Sequence, residues 1–171
     1  MNKNVIFQYY LDFNGVGKQG HHYTNGGPPD WAYKSVEYFK RYAEKHDADY
    51  YFFEDRFVES TSNFFEVTRL FKDPLFDQYD NLLYCDVDVI PKNMDNNIFN
   101  QLGDHDVAGW PENRMRDFSV DINWNATSAL QQRFKDFGST LVKAKTHQGI
   151  RMINSGVMLW SKKARLMARE N

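Results

Sequence analysis

One cysteine, Cys85, stands in 171 residues. No internal disulfide can form from it, and a zinc site built on cysteine pairs is excluded. Such a chain suits a reducing compartment. Long apolar runs are lacking as well. Nothing approaches the ~20 residues of a membrane span, and Val5-Ile6-Phe7, after Met-Asn-Lys-Asn, is too short for a secretory leader. With neither signal peptide nor transmembrane segment, the expected location is cytoplasmic, and Asn125-Ala126-Thr127 reads as a chance glycosylation sequon. Charge of one sign is missing too: 21 Lys and Arg stand against 23 Asp and Glu, a net of −2. Nucleic acid and anionic membrane are therefore not partners that electrostatics suggests. Repeats and low-complexity blocks are absent. The length fits one domain with a core that needs no staples.

What the chain has is aromatic side chains, 16% of the total, and a regular alternation of strand and helix patterns. Val5-Ile6-Phe7-Gln8-Tyr9-Tyr10 predicts a first strand. Asp30 is placed to cap a helix from Trp31 to about His46, with Ala32, Val36, Phe39, Tyr42 and Ala43 as its apolar stripe. Tyr50-Tyr51-Phe52-Phe53 predicts a second strand ending in Glu54-Asp55. Asn63-Phe64-Phe65-Glu66 has the form of a capping box opening a helix through Phe71, which Pro74 stops. Asn81 to Pro91 predicts a third strand, and 106–111 a short one. Thr127 or Ser128 starts a helix pattern through Ala129, Leu130, Phe134 and Phe137 to Gly138. Gly156-Val157-Met158-Leu159-Trp160 predicts the last strand. From Ser161 a helix follows, with Lys162, Lys163, Arg165 and Arg169 as a solvated face. This order predicts an α/β fold, mainly parallel, with helices on both faces of the sheet.

The glycine-rich stretch before the first helix excludes two nucleotide motifs. Gly15-Val16-Gly17-Lys18-Gln19-Gly20 fits G-x-G-x-x-G, yet its last glycine opens no helix, as a dinucleotide fingerprint requires. A P-loop fails because Asp12 and Gln19 occupy positions that need Gly and Ser or Thr. His21-His22 reads as a solvent-facing pair.

Chemistry concentrates at Asn81-Leu82-Leu83-Tyr84-Cys85-Asp86-Val87-Asp88-Val89-Ile90-Pro91. A continuous apolar run is the pattern of a strand buried on both faces. Buried strands exclude carboxylates, so Asp86 and Asp88 belong where the strand emerges, at the carboxyl edge where ligands bind in open α/β sheets. In an extended chain, residues i and i+2 lean to one face. Two converging carboxylates repel unless a cation lies between them, and oxygen-only ligation suits Mg²⁺ or Mn²⁺. The structural alternative is a polar strand end that starts a turn, with Asp88 or Asp95 capping a following helix.

Three segments in order carry a resemblance: Thr68-Arg69-Leu70-Phe71, the stretch Tyr79 to Ile90, and Asn154-Ser155-Gly156-Val157-Met158-Leu159, with Val107-Ala108-Gly109 between the last two. They resemble the GT-A nucleotide-sugar glycosyltransferases with a DxD motif, most closely glycosyltransferase family 8 and its relatives. That family shows an Arg-Leu helix, a "YLDxDv" strand and an "N-[AS]-G" strand. The resemblance implies a GT-A fold, Rossmann-like, as a single catalytic domain over 1–171. It implies transfer of a sugar from a nucleotide-sugar donor, a UDP-hexose by default, to a hydroxyl acceptor such as a glycan, with Mn²⁺ or Mg²⁺ as cofactor. Asp86 and Asp88 would be the metal pair, Asp88 ligating directly and Asp86 touching metal or ribose. Arg69 would reach the sugar or its phosphates, and Asn154, Ser155 and Gly156 would line the sugar pocket. Gln8, Tyr9 and Tyr10 would hold the nucleobase, with Glu54 or Asp55 as a further base or ribose contact.

The chain departs from the family beyond its "N-[AS]-G" strand. The Asp-Gln pair near the acceptor and the late metal-binding His have no counterpart before Asn171, and His147 precedes Asn154. The third metal ligand is unassigned, and the expectation is either a minimal version of the domain or one whose C-terminal part lies beyond this sequence. For an inverting reaction a base would come from Asp106, Glu112, Asp117 or Asp121. Two other readings compete. In a haloacid-dehalogenase-type phosphatase, Asp86 would be the nucleophile and Gly103-Asp104-His105-Asp106 would supply acidic ligands. That family carries the motif on its first strand, and Ile90 stands where it has Thr. The other is a non-catalytic module that binds a sugar or nucleotide.

Overall fold

Val5, Ile6 and Phe7 are fully shielded from solvent because β1 (Asn4–Tyr9) has a strand on either side and helices above and below. A side chain of this kind contributes about 1.5–3 kcal/mol by leaving water. A computed structural model describes residues 2–11, 28–59, 63–111 and 153–170, with backbone alone for 63, 64, 110, 111 and 153–155. The chain divides into two compact units, Met1–Gly109 with Ser155–Asn171, and Trp110–Asn154. The core and the Asp86–Asp88 segment belong to the first. Of the second, only the strand residues at 110, 111, 153 and 154 are described.

Among the described residues the sheet has five strands in the order β2-β1-β3-β5-β4, with β2 (Ala48–Phe53), β3 (Asn81–Cys85), β4 (Val107–Pro111) and β5 (Ile153–Ser161). β1 pairs in parallel with β2 and with β3, so all three carboxyl ends reach one edge. β5 pairs with β3 in antiparallel fashion, Cys85 opposite Val157. The fold is thus mixed α/β.

Side chains alternate between the two faces of β1. Ile6 joins Leu83, Cys85 and Leu159 under Phe39, Tyr42 and Ala43 of α1 (Asp30–Lys45). Val5 and Phe7 join Leu82 and Tyr84 on the other face, against Leu70 and Phe76. Leu70 comes from α2 (Arg69–Lys72) and Phe76 from a 3-10 turn, Pro74–Gln78. α3 (Lys162–Glu170) packs against α2. Helices therefore cover both faces, as the alternating pattern predicts.

Several local expectations change. β3 ends at Cys85 rather than running to Pro91, because Val87 and Asp88 form a turn in which Val89 N donates to Asp86 O at 3.3 Å. Asp30 is the first residue of α1 and not its cap; Pro29 holds the cap position, and its carbonyl accepts from Ala32 N at 2.8 Å. The Asn63–Thr68 segment is a 3-10 turn leading into α2. Glu66, expected in a capping box there, turns instead to an earlier loop and accepts from Phe57 N and Val58 N at 3.0 and 3.1 Å. Arg165, expected in solvent, is 1% exposed. The glycine-rich stretch with His21-His22, the helix pattern from Thr127 to Gly138, and Glu112, Asp117, Asp121, Asn125 and His147 lie outside the described residues.

Candidate functional site

Parallel pairing of β1, β2 and β3 brings their ends together, Tyr9 beside Phe53 and Phe7 beside Tyr84. Tyr9, Tyr10, Glu54, Asp55 and the Asp86–Asp88 turn all follow from this edge. β5 arrives from the other direction, and Gly156 O accepts from Asp86 N at 2.8 Å. The backbone of Asn154 and Ser155 lies in β5, and their side chains are outside the description.

Asp86 is half-buried and Asp88 exposed. One oxygen of Asp86, Oδ1, accepts a short hydrogen bond from the Tyr84 hydroxyl. Burial raises the Asp86 carboxyl above its ordinary value; the Tyr84 bond works against this, and the nearby Asp88 charge adds to the rise. An anion in that position is costly without a cation. The donor set, two hard carboxylates on one turn, fits Mg²⁺ or Mn²⁺, which commonly bind through one or two carboxylates with substrate phosphates completing the shell. Among the described residues, no group of three or more His, Cys, Asp and Glu gathers into a complete metal site.

The predicted contacts on β1 divide. Gln8 is fully buried: Nε2 donates to Ser35 Oγ at 3.0 Å and to Asp86 O at 3.2 Å, and Oε1 accepts from Tyr50 Oη at 2.7 Å. Its side chain holds the turn from below. Tyr10 is buried against Ala32 and Val87. Tyr9 stacks on Tyr84 with ring centres 5.8 Å apart, and burial raises the hydroxyls of both above the usual phenol.

Arg69 is 7% exposed and fully engaged. Nε donates to Asp73 Oδ2 at 3.0 Å and Nη2 to Asp55 Oδ2 at 3.2 Å, while the guanidinium lies 3.5 Å over the centre of the Phe53 ring. It thus stands near the carboxyl end of β2, with the exposed Asp55 on its outer side. Glu54 accepts from Tyr33 Oη at 3.3 Å. Asp106 is held by Lys163 at 3.0 Å and Ser161 at 3.3 Å, and the Lys163 bond lowers its carboxyl.

Three residues at this edge escaped the sequence reading: Tyr84, Ser35 and Tyr50. A signal existed for Tyr84, two positions before Asp86 and so on the same face near a strand end. None existed for Ser35 and Tyr50, whose partner Gln8 is distant in sequence.

No protein-family model matches the chain, and no curated protein matches it. Among solved structures it is similar to one described as the crystal structure of a glycosyltransferase involved in the glycosylation of the major capsid of PBCV-1. The TM-score is 0.52 at 16% identity, over 98% of this chain and 64% of that one. This chain therefore spans about 64% of that chain's length. At such identity the likeness is one of fold: the mixed α/β sheet of this chain is similar to that of a glycosyltransferase.

Proposed function

We propose that the chain is a metal-dependent glycosyltransferase of GT-A type, related to family 8, which takes a nucleotide-sugar donor and a glycan hydroxyl as acceptor. The observation that carries the reading is the Asp86–Asp88 turn at the carboxyl end of β3, with the half-buried Asp86 destabilised as a lone anion. The fold likeness to a glycosyltransferase supports it.

In this reading Asp88 and the free oxygen of Asp86 would hold Mn²⁺ or Mg²⁺. The bound ion would supply Lewis-acid stabilisation of the diphosphate leaving group. Tyr9 and Tyr10, with the backbone at Gln8, border the nucleobase. Arg69 adds fixed positive charge at the edge, a donor phosphate replacing the exposed Asp55 carboxylate on its Nη2. Asn154, Ser155 and Gly156 line the sugar pocket. A UDP-hexose is the default donor.

The test is calorimetric titration of UDP and of GDP, each with Mn²⁺ and with chelator, on the wild type and on Asp88→Ala. Binding of one nucleotide that needs the metal and disappears in Asp88→Ala is the expected result. No binding of either nucleotide with any divalent metal would overturn the reading.

A further inference from the structure

Asp86 is held at every polar atom but one. Its N–H donates to Gly156 O at 2.8 Å, and its carbonyl accepts from Gln8 Nε2 at 3.2 Å and from Val89 N at 3.3 Å. Its Oδ1 accepts from the Tyr84 hydroxyl. Among the described residues, Oδ2 accepts no hydrogen bond.

The donor on Oδ1 cannot swing aside. Tyr84 is buried, its backbone is paired to Phe7 on one side and Met158 on the other, and its ring is wedged between neighbours. The ring of Tyr9 stacks on it at 5.8 Å with 21° between planes, and that of Phe7 lies 5.6 Å away at 46°. A hydroxyl fixed in this way selects one orientation of the carboxylate. A flat carboxylate with one oxygen committed presents the other in a single direction, and such outer partners set a ligand's orientation at metal sites. The main-chain bonds from Gln8 and to Gly156 fix the Cα from which that direction is measured.

We propose that Tyr84 is a positioning residue of the site: its hydroxyl holds Oδ1 of Asp86 and reserves Oδ2 for a divalent cation with its nucleoside diphosphate. The inference rests on the Asp86–Asp88 pair being the metal-binding pair. Tyr84 touches neither metal nor donor; its hydroxyl, which also meets that of Tyr9, acts on the metal position through Asp86. A tyrosine that merely filled the core would need its ring and not its hydroxyl.

The experiment compares wild type, Tyr84→Phe and Asp86→Ala by calorimetric titration with UDP, in Mn²⁺ and in chelator, alongside thermal unfolding. Phenylalanine keeps the ring stack and removes only the donor. The expected result is that Tyr84→Phe unfolds near the wild-type midpoint and binds UDP in chelator as the wild type does. Its affinity gain from Mn²⁺ falls about 10-fold or more, the scale of a lost outer partner at a metal site. If Asp86→Ala loses the gain while Tyr84→Phe keeps it, the positioning role is overturned and the metal pair stands. If Tyr84→Phe weakens UDP binding equally in both media, its role is structural and the proposal is overturned. A wild type that gains nothing from Mn²⁺ overturns the metal pair and, with it, the role of Tyr84.

Discussion

Gln8 donates from Nε2 to the carbonyl oxygen of Asp86 at 3.2 Å, across 78 positions of sequence. Ser35, which accepts from the same Nε2, donates in turn to the carbonyl of Val89. Both ends of the Asp86–Val89 turn are thus tied to one buried pair on β1 and α1. Replacing Gln8 with Leu keeps the volume but takes the acceptor from the Tyr50 hydroxyl and leaves the Asp86 carbonyl with Val89 N alone. An unsatisfied buried group costs about 1–3 kcal/mol, and Gln8→Leu is expected to cost about that much. Urea unfolding checks it: the midpoint falls while the slope with denaturant stays the same.

Arg165 makes a comparable bridge on the opposite face. It is 1% exposed, with Nη1 donating to Phe76 O at 2.9 Å and Nη2 to Tyr79 O at 2.6 Å, and its Nε has no partner among the described residues. Burial lowers its guanidinium from the ordinary value, and Asp77 opposes this. Its fork closes the 3-10 turn that delivers the chain into β3. Arg165→Met is expected to lower stability by about 1–3 kcal/mol, because the Tyr79 carbonyl loses its donor and the Phe76 carbonyl keeps only Tyr79 N. Arg165→Lys should not restore it, since a compact ammonium cannot serve both carbonyls. Thermal unfolding of the two variants side by side decides the point.

These residues mark how far the sequence could be read. β1, the start of β3 and the buried stripe of α1 were legible because Val5-Ile6-Phe7, Leu82-Leu83 and the Ala32/Val36/Phe39 spacing report burial directly. The end of β3 was not: nothing in Cys85-Asp86-Val87-Asp88 separates an extended chain from a turn, so the two carboxylates share an edge for another reason than strand alternation. Nor does a buried apolar run record its direction, and β5 lies antiparallel to β3. Arg165 was invisible because its partners are main-chain carbonyls, which leave no mark in side-chain patterns. At the site, the pair Asp86 and Asp88 and its place after β3 were legible. The support from Gln8, Ser35 and Tyr50 was not, since it spans residues far apart in the chain.

Arg69 shows the same division. Its pairing with Asp73 follows helical spacing, four residues on, while that with Asp55 depends on β2 ending beside it. Lysine cannot lie flat on Phe53 while reaching both carboxylates. Arg69→Lys is therefore expected to cost about 1–2 kcal/mol, the scale of a desolvated cation–π contact with a partly buried pair. In a double-mutant cycle of Arg69→Ala with Asp73→Ala, measured by urea unfolding, the effects of the two changes should not add; simple additivity would show that Arg69 draws no stability from Asp73.

The sharpest expectation concerns Asp86 without a cation. Burial and the charge of Asp88 raise its folded-state pKa above the unfolded value. The ionised carboxylate therefore opposes folding at neutral pH, and the protein gains stability as pH falls through the raised value toward the ordinary carboxylate range. Asp77, Asp95 and Asp106 are lowered by Arg169, Lys45 and Lys163 respectively. What they contribute is present above the ordinary carboxylate value and lost only on further acidification, so above that value they do not mask Asp86. Asp86→Asn removes the charge and still offers an oxygen to Tyr84. In chelator at pH 7.5 it is expected to stabilise the protein, on the scale of about 0.5–2 kcal/mol that relief of a strained functional group commonly yields. It should also flatten the gain in melting temperature as pH falls from 7.5 toward the ordinary carboxylate range, and lose the metal-dependent gain in UDP affinity. Thermal unfolding followed across that range reads the first two effects. A variant that melts below the wild type at pH 7.5 would show that the Asp86 charge is already compensated within the protein.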